Sequence, residues 1–279
     1  MIIKENASLK EMTTVRVGGT AKRLVTPESE EELKTLIEKE HPEYFIGGGS
    51  NLLINDREFD LVVDLRSFNK EIKDLGKGCF LVGASVRLQK AIDYVNEKGY
   101  GGMEFLYSVP GLIGGAIVMN AGRGKAQHCN ISKYIVAVNT ITDGKEKTYG
   151  NSECKFSHRD SIFKNSDIII TSVLFMFDEI NKEEAKTAKK DRLYFSKTKQ
   201  DNSHPNFGSV FMDFDPFVME MMRKMRSGNS RAGFSGKTRN WILNKDDAKY
   251  EDILKAIHKA EKMHKLFFRK CKPEVIIWR

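Results

Sequence analysis

Three consecutive glycines stand between two apolar runs in the stretch FIGGGSNLLI, residues 45–54. Glycine loses more backbone freedom on folding than any other residue, so three in a row are costly in an ordered segment. Their backbone N–H groups can point into one concavity and bind phosphate oxygens, because no side chain blocks them. A tight turn without a ligand is the alternative. The stretch is not a Walker A loop, since no Gly-Lys-Ser/Thr follows, and it is not a G-x-G-x-x-G motif that opens a long helix.

A second glycine-rich stretch, VPGLIGGAIVMNAGRG at residues 109–124, favours a ligand. Pro110-Gly111 predicts a rigid turn, and the glycines after it predict a loop whose backbone runs flat against another surface. Two such loops suit a long ligand with a diphosphate and a planar ring, which is the shape of flavin adenine dinucleotide (FAD). Glycines at contacts between a helix and a sheet would give the same pattern, and this alternative stays open.

The composition indicates a globular protein. The chain has 279 residues, of which 40% are hydrophobic and 30% charged, enough for one large domain or two to three small ones. Its apolar stretches are too short to span a bilayer, and its N-terminus lacks a secretory pattern. We therefore expect a cytoplasmic protein without membrane contact. The four cysteines form no C-x-x-C pair and no zinc-like spacing, which predicts free thiols and no metal site.

The net charge of +8 suits a polyanion or a phosphorylated small molecule. Acidic residues are interspersed throughout, and no RRM, KH or helix-turn-helix signature is present. Solvated helix faces therefore explain the basic runs better than nucleic-acid binding does.

Strands and helices alternate in the first two-thirds of the chain. Ser29 and Glu32 form a capping box at the start of a predicted helix over 27–40. Asp143-Gly144 predicts a hairpin turn. The stretch DPFVMEMMRKM, residues 215–225, predicts a helix whose methionines pack in the core, with an adaptable binding surface as the alternative. A change of composition near residue 179 predicts a domain boundary.

Six motifs occur in the order found in one enzyme family. The chain resembles the UDP-N-acetylenolpyruvoylglucosamine reductases, also called UDP-N-acetylmuramate dehydrogenases. The match is dense up to about residue 180 and patchier after it. The motifs are SLKEMTTVRVGG (8–19), FIGGGSNLLI (45–54), MEFLYSVPGLIGGAIVMNAG (103–122), HRDSIF (158–163), NFGSVF (206–211) and KPEV (272–275).

The resemblance implies an α+β fold with an FAD-binding part of the vanillyl-alcohol-oxidase/PCMH type. Its two α+β subdomains are expected at residues 1–66, with the pyrophosphate loop, and 67–180. A C-terminal α+β substrate domain is expected at 181–279, with a final strand that carries Glu274 back toward the active site. The chain resembles the shorter subtype of the family, which lacks a Tyr-bearing insertion.

The resemblance also implies a reaction. The chain would use FAD and NADPH to reduce the enolpyruvyl ether of UDP-N-acetylglucosamine to UDP-N-acetylmuramate for peptidoglycan synthesis. The partner would be this small-molecule substrate rather than a nucleic acid, and we expect a monomer.

The reaction needs a hydride, a positive charge for the substrate carboxylate and a proton for the neighbouring carbon. By resemblance, Arg159, Ser209 and Glu274 are the catalytic residues. Arg159 suits a carboxylate because its guanidinium is a permanently charged fork, and Ser209 would donate the proton. Glu274 would need burial that raises its pKa, or a bridging hydrogen-bond donor. Each residue also has a structural alternative. Arg159 would brace its loop, for instance against Asp160, and Ser209 would lie in a turn at a strand edge. Glu274 would pair with Lys272.

The resemblance assigns the cofactor contacts to the two glycine-rich stretches. Arg16 also lies in a matched motif, where it serves either the flavin or the sheet. The assigned cofactor residues are Gly47, Gly48, Gly49, Ser50, Asn51, Pro110, Gly111, Gly114, Gly115, Ala116, Asn120 and Gly122.

The match departs from the family pattern on the nucleotide-sugar side. His158 stands in place of a usual Tyr, Ser108 of a Gly and Thr238 of a His. Two other hypotheses therefore stay open: an FAD-dependent oxidoreductase of the same superfamily with a different substrate, and a basic nucleotide- or nucleic-acid-binding protein without redox activity. The cations expected to hold a diphosphate are Arg123, Lys125, Lys237 and Arg239.

Overall fold

The computed structural model describes residues 1–123, 129–225 and 228–279. The helices are α1 (Glu30–Glu40), α2 (Leu88–Glu97), α3 (Ile113–Val118), α4 (Lys182–Lys199), α5 (Pro216–Lys224) and α6 (Tyr250–Leu266). The strands up to the first hairpin are β1 (Ile2–Ser8), β2 (Thr20–Thr26), β3 (Tyr44–Ile46), β4 (Leu52–Ile54), β5 (Glu58–Asp64), β6 (Ile72–Gly76) and β7 (Cys79–Gly83). The later strands are β8 (Tyr100–Gly101), β9 (Gly122–Arg123), β10 (Cys129–Asn130), β11 (Ile135–Thr142), β12 (Lys145–Gly150), β13 (Ile169–Met176), β14 (Asp178–Glu179), β15 (Phe211–Asp213), β16 (Ala232–Phe234), β17 (Ile242–Asn244), β18 (Lys272–Pro273) and β19 (Ile276–Trp278).

The described chain divides into two compact units. The first comprises residues 1–4, 24–48 and 61–194, and the second comprises 5–23, 49–60 and 195–279. Segments of the predicted subdomain 1–66 thus occur in both units. The predicted boundaries at residues 66 and 180 divide the chain by cofactor and substrate roles, and they stay a prediction.

The first unit contains an antiparallel sheet with the strand order β12-β11-β13-β7-β6. The central strand β13 is buried along most of its length, as its run of apolar residues requires. The hairpin between β11 and β12 turns at Asp143 and Gly144, whose φ angles are +49° and +72°. Positive φ at both turn residues is typical of a type I′ turn, so the predicted hairpin is confirmed.

Helix α1 illustrates how local signals and burial act together in the first unit. The hydroxyl of Ser29 accepts a hydrogen bond from the N–H of Glu32 at 3.2 Å, which confirms the predicted cap and places the helix start at Glu30. Leu33 and Leu36, one turn apart, pack with Val63 in a hydrophobic cluster.

The second unit has its core between α5 and α6. Met219 and Met222 of α5 are fully buried and pack in one cluster with Ile253 and Ile257 of α6. The prediction that the methionines belong to the core is therefore confirmed for Met219 and Met222, whereas Met225 is 53% exposed. The last strand, β19, pairs in parallel with β4, the strand that follows the first glycine-rich stretch.

The mixture of helices and mostly antiparallel sheets confirms the predicted α+β class. Within the three described ranges, no helix is long and apolar enough to cross a membrane.

The turn between β6 and β7 contains two glycines of similar conformation in different surroundings. Gly76 and Gly78 have φ angles of +83° and +78°. A Cβ at Gly76 would meet nothing within 4 Å, whereas one at Gly78 would overlap the carbonyl oxygen of Phe177. We expect Gly76→Ala to lower the free energy of unfolding by about 1 kcal/mol, the cost of a left-handed alanine, and Gly78→Ala to lower it by about 3 kcal/mol. Urea denaturation measures both, and equal losses would contradict the steric argument.

Candidate functional site

The first glycine-rich loop joins β3 to β4, and its conformation depends on Gly49. This glycine has a φ of +59°, and a Cβ there would overlap the carbonyl oxygen of Met12. The carbonyl of Gly49 accepts a hydrogen bond from the N–H of Thr14 at 3.1 Å. Only glycine fits this position, because both the backbone angle and the contact exclude a side chain.

Gly48 brings the first glycine-rich loop against the second stretch within the first unit. A Cβ at Gly48 would lie 3.1 Å from the Cα of Gly111 and 3.4 Å from Leu112. Gly111 itself has a φ of +138°. The two stretches therefore approach closely at the backbone of Gly48 and Gly111, with the side chain of Leu112 beside their contact.

The second stretch is not a flat loop throughout, and that prediction was wrong. Residues 113–118 form helix α3. Burial of Ile113, Ala116 and Ile117, which share one helical face, outweighs the poor helix propensity of Gly114 and Gly115.

The two glycines of α3 have different surroundings. Gly114 donates its N–H to the carbonyl of Ala84 at 2.9 Å, and a Cβ there would lie 3.2 Å from the Cβ of Ala84. This is the helix–sheet contact that the sequence left open as an alternative. Gly115 is exposed, with nothing within 4 Å of its Cβ position. Gly115 thus gives the surface an accessible stretch of backbone.

These stretches fit a dinucleotide cofactor. Gly115 presents bare, exposed backbone, Gly48 packs closely against Gly111, and Pro110 is exposed. The side chains of Ala116 and Asn120 are 6% and 2% exposed, so a contact from Ala116 would use the backbone. The individual cofactor contacts stay predictions.

Arg159 lies at the tip of a tight hairpin in the first unit. Ser157 and Asp160 pair across the hairpin, with N–H to carbonyl distances of 3.0 and 3.4 Å. Arg159 takes a left-handed conformation with a φ of +57°. Its Nη2 donates a hydrogen bond to the carbonyl of Gly122 at 2.7 Å, and its own carbonyl accepts one from Lys164 at 3.2 Å. The guanidinium is thus directed by backbone contacts.

Ser209 and Glu274 lie on hydrogen-bonded neighbouring segments of the second unit. The N–H of Glu274 donates to the carbonyl of Val210, the residue after Ser209, at 2.8 Å. Gly208, before Ser209, has a φ of +76° and open space at its Cβ position. The side chain of Asn51 donates to the carbonyl of Glu274 at 3.1 Å. The structure therefore brings together two of the predicted catalytic residues and one residue of the glycine-rich loop, while Arg159 belongs to the other unit.

Asn240 is a buried residue that the sequence analysis missed. Its Nδ2 donates to the carbonyl of Phe211 at 2.7 Å, and its Oδ1 accepts from the N–H of Phe211 at 3.1 Å. The carbonyl of Asn240 also accepts the N–H of Val210 at 2.9 Å. Asn240 thus supplies hydrogen-bond partners to the backbone of Val210 and Phe211, the two residues after Ser209. The signal in the sequence that could have identified Asn240 is its position as a polar residue directly before the apolar run WIL.

Arg16 has an exposed side chain on a strained turn. Its φ is +56°, and the buried Asn244 donates to the carbonyls of Val15 and Arg16 at 2.9 and 3.4 Å. The geometry is compatible with either role considered for Arg16.

The predicted diphosphate-binding cations differ in their surroundings. Burial lowers the pKa of Arg192, and the nearby charge of Arg123 lowers it further, so two cations lie close together in the first unit. Lys237 donates to the carbonyl of Lys197 at 3.4 Å. Arg239 forms an ion pair with Glu220 at 3.4 Å, and Lys125 lies outside the described residues.

Thr238, which replaces a usual family histidine, has a structural role. Its hydroxyl accepts a hydrogen bond from the N–H of Asp201 at 2.8 Å. In the part of the chain that the structure describes, no cluster of three or more His, Cys, Asp or Glu side chains is arranged to hold a metal ion.

Known proteins are similar to this chain in sequence and in fold. Residues 21–148 match the family model of the FAD binding domain. The chain is 32% identical over 276 residues to the UDP-N-acetylenolpyruvoylglucosamine reductase of Thermotoga sp. (strain RQ2), covering 95% of this chain and 90% of the relative. The crystal structure of UDP-N-acetylenolpyruvylglucosamine reductase from Thermus caldophilus matches with a TM-score of 0.82 and 27% identity over 100% of both chains. A 6-hydroxy-D-nicotine oxidase from Arthrobacter nicotinovorans matches 64% of this chain and 42% of its own, with a TM-score of 0.50 and 15% identity, and shares the fold alone.

The two neighbouring glycines of α3 give a matched test of the cofactor surface. We expect Gly115→Ala to raise the free energy of unfolding of the apoprotein by about 0.5 kcal/mol, because alanine favours the helix. The same change should weaken FAD binding about tenfold, because the methyl group occupies the bare surface. Gly114→Ala should instead destabilise the apoprotein, because it crowds Ala84. Flavin fluorescence titration and urea denaturation measure the two effects, and parental FAD affinity in Gly115→Ala would contradict the assignment.

Proposed function

Because this chain belongs to the UDP-N-acetylenolpyruvoylglucosamine reductase family, we propose that it reduces the enolpyruvyl ether of UDP-N-acetylglucosamine to UDP-N-acetylmuramate, with FAD as cofactor and NADPH as electron source. The similarity to a reductase of this name across 95% of the chain carries the proposal. The hydrogen bonds that join Glu274 to Val210, the residue after Ser209, and to Asn51 support it.

The backbone of Gly47–Asn51 and of Gly111–Ala116 would hold the FAD. Successive N–H groups in a side-chain-poor loop suit the diphosphate, and the exposed backbone at Gly115 suits a flat ring. When bound, FAD supplies the hydride that reduces the alkene.

Arg159 would stabilise the charge that grows on the substrate carboxylate during reduction. A guanidinium offers two parallel donors at fixed spacing and stays charged at any working pH. Its orientation is set before the substrate arrives, because Nη2 is bonded to the carbonyl of Gly122. A donor held in place pays no reorganisation at the moment of reaction, and this is the largest source of catalysis in many enzymes.

Ser209 would donate a proton to the carbon next to that carboxylate. A hydroxyl is a weak acid, so the transfer needs a strongly basic carbon placed directly beside it. The open space at Gly208 allows a substrate to approach Ser209 closely. Glu274 is half-buried, and its backbone is held on both sides by Val210 and Asn51. Its carboxyl would act as a protonated or hydrogen-bonded group, because a bare anion would oppose the growing negative charge.

The proposed product also indicates the cellular process in which the enzyme would act. UDP-N-acetylmuramate is a precursor of peptidoglycan, so we propose a cytoplasmic role in cell-wall synthesis, and through it in cell shape and division. The proposed partner is a small molecule, and we expect the enzyme to act as a monomer.

The flavin spectrum tests the function directly. Purified protein should be yellow, NADPH should bleach it, and the enolpyruvyl nucleotide should restore the oxidised spectrum. Bleaching by NADPH without reoxidation by this nucleotide would indicate a flavin enzyme with another substrate. Colourless protein that shifts an oligonucleotide would instead indicate nucleotide or nucleic-acid binding.

Ser209→Ala tests the proton donor. We expect NADPH to bleach the variant at the parental rate, because that step needs no proton from Ser209. Reoxidation by the enolpyruvyl nucleotide should slow at least about 100-fold, which is typical for loss of a general acid. Stopped-flow absorbance separates the two steps. Ser203→Ala is the control, since its exposed hydroxyl donates to Asp201 and should leave both rates unchanged. Parental reoxidation in Ser209→Ala would contradict the assigned role.

A further inference from the structure

The hairpin that carries Arg159 is attached at three points to the last residue of helix α3 and the segment that follows it. The side chain of Ser161 donates to the carbonyl of Val118 at 2.7 Å. The side chain of Asn120 donates to the carbonyl of Ser157 at 2.7 Å. The guanidinium of Arg159 donates to the carbonyl of Gly122 at 2.7 Å. Residues 118, 120 and 122 thus each make one contact with the hairpin.

Asn120 makes the central attachment, and both the nitrogen and the oxygen of its side-chain amide form hydrogen bonds. Its Nδ2 bonds to Ser157, and its Oδ1 accepts the N–H of Ser132 at 3.3 Å. The residue is 2% exposed and has a φ of +41°, a conformation that asparagine tolerates better than most residues. Only an amide supplies both a donor and an acceptor in this shape, since a carboxylate has no donor at neutral pH.

The contact to Ser157 acts directly on the position of Arg159. Ser157 and Asp160 pair with each other, so the two residues between them form the tip of the hairpin. Fixing the carbonyl of Ser157 therefore fixes the base of the turn that directs Arg159. Gly122, the acceptor for the guanidinium, is itself confined, because a Cβ there would overlap the side-chain oxygen of Asn130.

We propose that Asn120 is a positioning residue: its side-chain amide sets the place and angle from which Arg159 meets the carboxylate of the substrate. The inference rests on the proposed function, in which Arg159 stabilises that carboxylate. Displacement of a catalytic group by about 1 Å costs on the order of 100-fold in rate. The side-chain amide of Asn120 thereby controls the reduction step through Arg159.

Asn120→Gly is the test, because glycine keeps the left-handed backbone and removes the amide. The control is Asn139→Ala, which loses one donor bond to Ser172 and one acceptor bond from Thr148 in the same unit and lies outside the proposed machinery. Stopped-flow absorbance gives the rates of bleaching by NADPH and of reoxidation by the enolpyruvyl nucleotide. Calorimetry gives the affinity for that nucleotide and for UDP-N-acetylglucosamine, which lacks the carboxylate.

We expect Asn120→Gly to slow reoxidation roughly 10- to 100-fold and to leave bleaching within about twofold. Affinity for the enolpyruvyl nucleotide should fall about tenfold, while affinity for UDP-N-acetylglucosamine should not change. Asn139→Ala should alter none of these values. A merely structural role would affect both nucleotides and both rates alike, and that result would overturn the inference, as would parental values throughout.

Ser161→Ala keeps the test decisive if Asn120→Gly does not fold. It removes the neighbouring attachment at Val118 and should shift reoxidation and carboxylate-dependent affinity in the same direction, by a smaller factor. Unchanged values in this variant would then overturn the inference. The proposed function fails separately, when the parental protein itself is not reoxidised by the enolpyruvyl nucleotide.

Discussion

The contact between Gly49 and the carbonyl of Met12 is the constraint on which the second unit's part of the site depends. It allows no side chain and holds the backbone in a left-handed conformation. Two residues later, Asn51 binds the carbonyl of Glu274, and its own carbonyl accepts the N–H of Ile276 at 3.0 Å. The geometry of one glycine therefore influences both the loop and the backbone of Glu274, a predicted catalytic residue. A side chain at Gly49 would move both at once.

Asparagine side chains position several backbone segments near the predicted catalytic residues. Asn51, Asn120 and Asn240 each bond to the backbone of a segment that carries or adjoins one of the predicted catalytic residues. These segments are short and irregular, so their buried N–H and carbonyl groups lack the regular partners of a long strand. An amide side chain resembles a peptide group and supplies the missing partner, which makes a precise site compatible with irregular backbone.

The sequence predicted those features that depend on local chemistry. The cap at Ser29, the hairpin turn at Asp143-Gly144 and the buried methionines of α5 follow from neighbouring residues alone, and the structure confirms them. Helix α3 was missed because two adjacent glycines oppose a helix, and only burial of its apolar face reveals the outcome. The association of residues 5–23 and 49–60 with the C-terminal region depends on contacts far apart in sequence, which no periodicity shows. Likewise, the motifs named Ser209 and Glu274, but only the structure shows that their segments are hydrogen-bonded to each other.

The central claim is that this chain reduces an enolpyruvyl nucleotide by adding a hydride to one carbon and a proton to the next. The most direct measurement is NMR of the product formed from the enolpyruvyl ether of UDP-N-acetylglucosamine and NADPH in heavy water. The account predicts UDP-N-acetylmuramate with deuterium on the carbon that bears the carboxylate. Recovery of unreduced nucleotide, or a product with protium instead of deuterium at that carbon, would contradict it.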